Sequence, residues 1–474
     1  MKSLTFALSL VLSSCSFVRG GDFATALSEL RAGDQGWDAR EAFESACRSA
    51  DAAACQLLGL PFDAKALSPL GIVQGPTSAR STQLAVLHSR PRGVELILWE
   101  VGSLRWVDPV AVDEKTFPDS PWKVVQARFD GLQRSKEYLL QVVDLPSRRL
   151  LDGRRLRTLD TGKPTVRFAV ASCMDDSYTG EQASMWGELL EKRPDVLFLI
   201  GDNVYADFPI GVPPPDPAAL WRRYAETRSR LAVFRADPLV PIVATWDDHD
   251  YGANDGDSGF AHKAEAARTF AAYFPQEPIA DVFERGPGVS SRLIVFGQQF
   301  FFMDDRSFRS PVGAKPETHW GAEQEKWLSA SLGRGAAPAW IFNGDQFFGG
   351  YHRFESYEGR HPRSFAGFHS LVRRGAVPAV LVSGDRHLAE LMRIPAGYFG
   401  FTTFELTTSA IHAKTFPDAW KDSPNRRKIE GASGVLNYAV VESAAPTRGA
   451  ISARIRAFGP GSSLLFERQV RISR

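Results

Sequence analysis

Long hydrophobic runs, excess charge of one sign and cysteine are all scarce in this chain of 474 residues. Beyond a short apolar stretch near the amino terminus, no run is long enough to cross a bilayer as a helix. The formal charge is only +1, so no global cationic field holds a polyanion by counterion release, and nucleic acid is not expected as a partner. The cysteines number 4, too few for a disulfide scaffold, so the fold must rest on a large buried core. Low-complexity tracts and repeats across the second half are missing as well. What is present is 44% hydrophobic and 23% charged residues, the balance of a folded protein, with 40 Gly and 30 Pro marking many turns. At roughly 150 residues per domain, the length fits two or three units.

The amino terminus carries Lys2, an apolar run over 4–12 and then small residues, the layout of a secretory signal over 1–20. Export is therefore expected, to the periplasm, the cell surface or the medium. Leu12-Ser13-Ser14-Cys15 resembles a bacterial lipobox, so either Cys15 carries a lipid anchor to the membrane or ordinary cleavage before Asp22 discards it. Within 22–62, Cys47 and Cys55 lie in an Ala-rich helical pattern broken at Arg48-Ser49-Ala50-Asp51. That pattern resembles one unit of the Sel1-like helical repeats, which implies a Cys47 to Cys55 disulfide. The other reading is two buried thiols on one amphipathic helix; export favours the disulfide and leaves Cys173 unpaired.

Residues 68–160 read as short strands, at 84–88, 95–101, 124–129 and 138–143, with no catalytic cluster among them. Phe129-Asp130-Gly131-Leu132 followed by Tyr138-Leu139-Leu140 resembles the corner of a fibronectin III-like or immunoglobulin-like β-sandwich, where a tyrosine hydroxyl ties back to the backbone. After Lys163-Pro164 the pattern changes. Over 161–474, apolar β-branched runs alternate with helical stretches at 181–192, 217–231, 261–274, 321–332 and 365–374, the signature of a layered α/β domain with one β-sheet core flanked by helices. Strands over 438–442, 451–456 and 464–472 either finish that sheet or form an appended hairpin.

The apolar runs end in polar residues: Ser172-Cys173, Gly201-Asp202-Asn203, Asp247-Asp248-His249-Asp250, Asp304-Asp305-Arg306, Asn343-Gly344-Asp345 and Ser383-Gly384-Asp385-Arg386-His387. In open α/β sheets ligands bind beyond the carboxyl ends of strands, so these endings are expected to converge on one edge. Oxygen and nitrogen donors arriving from several strands suit a hard or borderline metal. Two adjacent ions require a carboxylate that bridges them, and Asp202 is the natural choice. Such a pair acidifies water and clamps both attacking and leaving oxygens in displacement at phosphorus.

As a set, Ala171-Ser172-Cys173, Gly201-Asp202-Asn203-Val204-Tyr205, Trp246-Asp247-Asp248-His249-Asp250, Asp304-Asp305-Arg306 and Ser383-Gly384-Asp385-Arg386-His387 resemble the PhoD-like alkaline phosphatases of the calcineurin-like metallophosphoesterase superfamily. The resemblance covers 161 to about 410. It implies a dinuclear or multinuclear centre of ferric iron with calcium or another divalent cation. Carried onto this chain, Cys173, Asp202, Tyr205 and His387 hold the first ion, and Asp202, Asp248 and Asp385 the second. Thiolate and phenolate are anionic donors that favour ferric iron, while the carboxylate side suits a hard divalent ion. The Asp-x-His pair that opens the wider superfamily is absent.

The resemblance implies a hydrolase of small phosphate esters, monoesters or diesters, in which a metal-activated hydroxide attacks and His249 assists the leaving group. Arg306 is expected to fork onto phosphate oxygens or to pair with Asp304 or Asp305. Asn254 and Asn343 are expected to bind substrate or to cap loops. The segments 208–217 and 347–363 are placed at the entrance. Two rival readings stay open: a metal-dependent hydrolase of non-phosphorus esters on the same scaffold, and a surface-anchored binding protein with an inactive α/β domain.

Overall fold

A computed structural model describes residues 23–32, 39–60, 67, 69–103, 105–207, 214–333, 337–375, 377–447 and 449–474. The expected leader over 1–20, Cys15 and positions 208–213 of the Pro-rich entrance segment lie outside the described residues. Among those described, no helix is long and apolar enough to cross a membrane.

Three short helices come first, Phe23–Ala32, Ala39–Arg48 and Ala52–Leu58, the first of them not marked by the sequence pattern. Asp51 sits at the turn between the last two, accepting from Ala53 N and Ala54 N and also from Phe23 N, so one carboxylate caps one helix and anchors another. Cys47 and Cys55 are disulfide-bonded across that turn. The helices pack Phe23, Phe43 and Ala54 onto Trp99, Val143 and Leu150 of the next unit.

That unit is a pair of antiparallel sheets of 4 strands each, running from Gly71–Thr77 to Leu150–Arg157. Ile72, Leu84 and Val86 of one sheet share a core with Leu96, Leu98 and Leu140 of the other. Tyr138 is fully buried, and its hydroxyl accepts from Gln133 N at 2.8 Å, fastening the corner. Tyr138→Phe leaves that N–H without its acceptor. Denaturant unfolding should show a loss of about 1 kcal/mol with turnover unchanged.

The α/β part departs from the single sheet expected. It contains 2 sheets, of 6 and 8 strands. The smaller runs Ile242–Thr245, Val196–Ile200, Thr165–Ala171, Tyr438–Ala444, Ile451–Gly459 and Ser463–Ile472, so the C-terminal strands finish this sheet. The larger holds Gln298–Phe302, Ala339–Asn343 and Ala379–Ser383 as a parallel centre. The sheets stack face to face through Phe168, Phe198, Phe300, Phe302, Trp340 and Phe342. Along Val196–Ile200 the side chains alternate, Val196, Phe198 and Ile200 into this inter-sheet core and Leu197 and Leu199 against the outer helices. A strand buried on both faces reads as one apolar run, which is why the pattern cannot say how many sheets it builds. The outer layer holds helices Gln182–Glu191, Pro217–Arg230, Lys263–Tyr273, Gly321–Gly333 and Pro362–Gly375, all within a few residues of expectation.

Candidate metal centre

The polar strand endings do meet, but from two sheets. Cys173, Asp202 and Asp247 to Asp250 follow strands of the smaller sheet; Asp304 to Arg306, Asp345 and Asp385 to His387 follow strands of the larger. Two hydrogen bonds clamp the sheets where they meet: Thr245 Oγ1 donates to Met303 O at 2.6 Å, and Trp246 Nε1 donates to Asp304 Oδ1 at 2.8 Å. The glycines before the aspartates have a steric reason. A Cβ on Gly201, whose φ is +108°, would come within 2.6 Å of Asp247 Cβ. One on Gly344 would lie 2.5 Å from Asp247 Cγ. Bare backbone is required for the loops to crowd so closely.

Cys173, Asp202 and His387 each bring a donor atom within 4.8 Å of the others, and Asp202 belongs to a second such group with Asp248 and His249. Cys173 Sγ donates to Asp202 Oδ2 at 3.2 Å and accepts from Ser409 Oγ at 2.9 Å. Tyr205 places its hydroxyl 3.4 Å from His387 Nε2. Asp385 groups with Asp247 and Glu355 instead of with Asp202. Cys173, Asp202, Asp385 and His387 all adopt left-handed backbone, with φ of 54°, 51°, 59° and 50°. For non-glycine residues this costs of order 1 kcal/mol each and is concentrated at functional sites. Asp385 and His387 do not alternate along a strand, because Ala379–Ser383 has already ended; a left-handed turn aims them.

The electrostatics suit cations. Burial drives the Cys173 thiol up to about 12, the Asp385 carboxyl up to about 8, and Asp202 and Tyr205 well above their ordinary ranges, each helped by neighbouring acidic groups. Asp202 Oδ1 and Asp247 Oδ2 are buried with no hydrogen-bond partner among the described residues. Unpaired anionic oxygens at this depth are costly unless a cation meets them, so the donor set fits metal.

His249 lies beside this cluster. Burial alone would lower its pKa, but Asp248, Asp202 and Asp207 outweigh that and push it up to about 11. Its Nδ1 is 2.7 Å from Asp207 Oδ1, and its ring stacks on Tyr205 with centroids 4.3 Å apart. Asp207 had no role in the sequence reading, although it closes the stretch that begins at Gly201. Asp248 takes backbone N–H bonds from His249 and Asp255 at 2.9 and 2.7 Å, while Asp250 closes a capping box with Asp247.

Arg306 is fully buried, and its fork is taken. Nε donates to Asp247 Oδ1 at 2.7 Å, Nη2 binds Asp247 and Glu355, Nη1 reaches Gly256 O at 3.3 Å, and Asp305 lies at 3.6 Å. As placed, buried and with four of its five N–H groups committed, it orients carboxylates rather than forking onto a substrate. Glu355 was not singled out by the sequence, yet it belongs to two donor groups. Asn343 is likewise buried and committed, accepting from Trp320 Nε1 at 2.9 Å and donating to Asp345. Asn254 lies at the edge; its N–H donates to Asp207 Oδ2 at 2.9 Å and its amide to Asp255. His412 serves packing, with Trp186 Nε1 donating to its Nε2.

Comparison with known proteins gives concordant results. A family model described as PhoD-like phosphatase matches residues 168–456. Alkaline phosphatase D of Bacillus subtilis (strain 168) is 26% identical over 211 residues, which are 37% of this chain and 36% of that enzyme. The aligned stretch is thus well under two thirds of the relative's length. A solved structure of PhoD superposes with a TM-score of 0.64 and 16% identity, over 85% of this chain and 92% of the other, a likeness of fold.

Proposed function

Because the chain belongs to the PhoD-like phosphatase family, we propose that it is an exported, metal-dependent hydrolase of small phosphate esters. The observation that carries this is the double membership of Asp202, which faces Cys173 and His387 on one side and Asp248 on the other. In this reading Cys173, Asp202, Tyr205 and His387 would hold one ion, of ferric character given the thiol and phenol. Asp202 and Asp248 would hold a second, hard divalent one, with Asp385 beside it among Asp247 and Glu355. When bound, the ions supply Lewis acidity and acidify a water for attack at phosphorus.

The chain's own residues do the rest. Asp207 accepts from Nδ1 and fixes the direction of the His249 ring, and the surrounding acids keep the ring protonated, so His249 delivers a proton to the leaving oxygen. Arg306 acts as a positioning residue: it neutralises Asp247 and Glu355 and holds the loop around 355 against the site. Arg306→Met takes from Asp247 its buried cation and leaves Glu355 with Arg309 alone, and thermal unfolding should reveal a loss of about 3 kcal/mol along with turnover. Backbone anchoring of Asp207 by Asn254 ties the edge loop to the same dyad. Export is supported by the disulfide at 47–55, and a fibronectin III-like reading of 68–160 by the paired sheets and the Tyr138 corner.

Paired substrates test the proposal. Purified protein should release p-nitrophenol from p-nitrophenyl phosphate or its bis-ester, lose that activity to a chelator and regain it with metal. Turnover of p-nitrophenyl acetate with neither phosphate ester cleaved would instead indicate a hydrolase of non-phosphorus esters.

A further inference from the structure

The chain holds 32 Phe, and most of those among the described residues are buried in the core. Among the described residues, Phe354 at 48% and Phe416 at 47% exposure are the phenylalanines left most open to solvent. Both stand beside the metal centre. Phe416 stacks on the ring of His387 with centroids 5.7 Å apart, and Lys414 Nζ lies 5.5 Å from its centroid. Phe354 carries the guanidinium of Arg386 4.3 Å from its ring centroid. Arg386 and His387 are consecutive, so the two exposed rings flank one turn of the site.

Neither ring is loose. Phe354 precedes Glu355, which is buried and tied to Arg306 and Arg309. Phe416 precedes Pro417, whose carbonyl accepts from Ser433 Oγ at 2.7 Å. Arg386 forms no ion pair among the described residues, and its Nε is buried without an acceptor. With Arg306 buried and committed to Asp247 and Glu355, Arg386 is the guanidinium beside Asp385 and His387 that has no ion pair among the described residues.

The geometry points to a cationic aromatic subsite at the mouth of the centre, made by Phe354, Arg386 and Phe416, that takes the planar ring of an aryl or heteroaromatic phosphate ester. This rests on the phosphoesterase reading and narrows it, from phosphate esters at large to those whose organic group stacks. Alkyl esters gain nothing from two exposed rings and a stacked guanidinium. An aromatic group gains π-stacking and cation–π attraction, together worth roughly tenfold in affinity.

Calorimetric binding of phenylphosphonate, methylphosphonate and inorganic phosphate to the metal-loaded chain tests the subsite, with p-nitrophenyl phosphate turnover measured in parallel. Wild type should bind phenylphosphonate roughly tenfold more tightly than methylphosphonate. In Phe354→Ala/Phe416→Ala that preference should fall to near one, with phosphate binding unchanged and the far-ultraviolet spectrum intact. Equal binding of the two phosphonates by wild type, or a preference that survives the double substitution, overturns the subsite. Absence of turnover with the preference intact overturns the hydrolase reading and not the subsite.

Discussion

Asp202→Asn should cut phosphate ester turnover by on the order of a thousandfold and at the same time raise the stability of the metal-free protein. The first effect follows from charge. Asp202 is the carboxylate placed to serve both donor groups, and its loss removes several kcal/mol of transition-state stabilisation, about a factor of ten for each 1.36 kcal/mol. The second follows from burial. Asp202 is 2% exposed, one of its oxygens has no partner, and the acids around it oppose its ionisation. An amide of the same shape lifts that penalty, so the metal-free midpoint of unfolding should rise by several degrees. A structural aspartate would behave in the opposite way, losing stability on substitution. Steady-state kinetics with metal, and thermal melts without it, separate the two.

His249→Ala carries the second large effect, and the leaving group decides its size. A proton donor matters most when the departing alkoxide is strongly basic. Alkyl phosphates should lose about 10² to 10⁴ in kcat, and p-nitrophenyl phosphate, whose phenolate leaves unaided, far less. Asp207→Asn keeps an oxygen acceptor for Nδ1 but removes its charge and leaves Asp248 and Asp202 facing the ring, so its loss should be smaller, about tenfold on the same alkyl esters. Equal losses on both leaving groups would reduce His249 to a ligand-orienting or packing residue.

How much of this could be read from the sequence depends on the kind of signal. Where an apolar run stops at a Gly-Asp pair, the physical cause is local: Gly201 and Gly344 are demanded by close backbone approach, and the aspartates follow at strand ends. Those positions were legible, as were helices such as Pro217–Arg230, which starts with proline after the capping Asp216. Sheet membership was not. Val196–Ile200 is buried on both sides, and nothing in five apolar residues says which of two stacked sheets its neighbours join. Long-range pairing hid the rest. Asp207 gains meaning only when His249, 42 positions on, folds against it. Arg306 reads as a phosphate fork or as a partner of Asp304 or Asp305; Asp305 is indeed near, but the partners that fill the fork, Asp247 and Glu355, lie 59 and 49 positions away. Phe354 falls in the segment 347–363 that the sequence places at the entrance, whereas nothing in the sequence marks Phe416; its exposure sets it apart.

Metal content per chain, measured against p-nitrophenyl phosphate turnover as chelator is increased, tests the central claim most directly. More than one ion per chain is expected in the active protein, iron among them, with turnover falling in step as the ions leave and little metal retained in Asp202→Asn. Full turnover from a chain stripped of metal would contradict it.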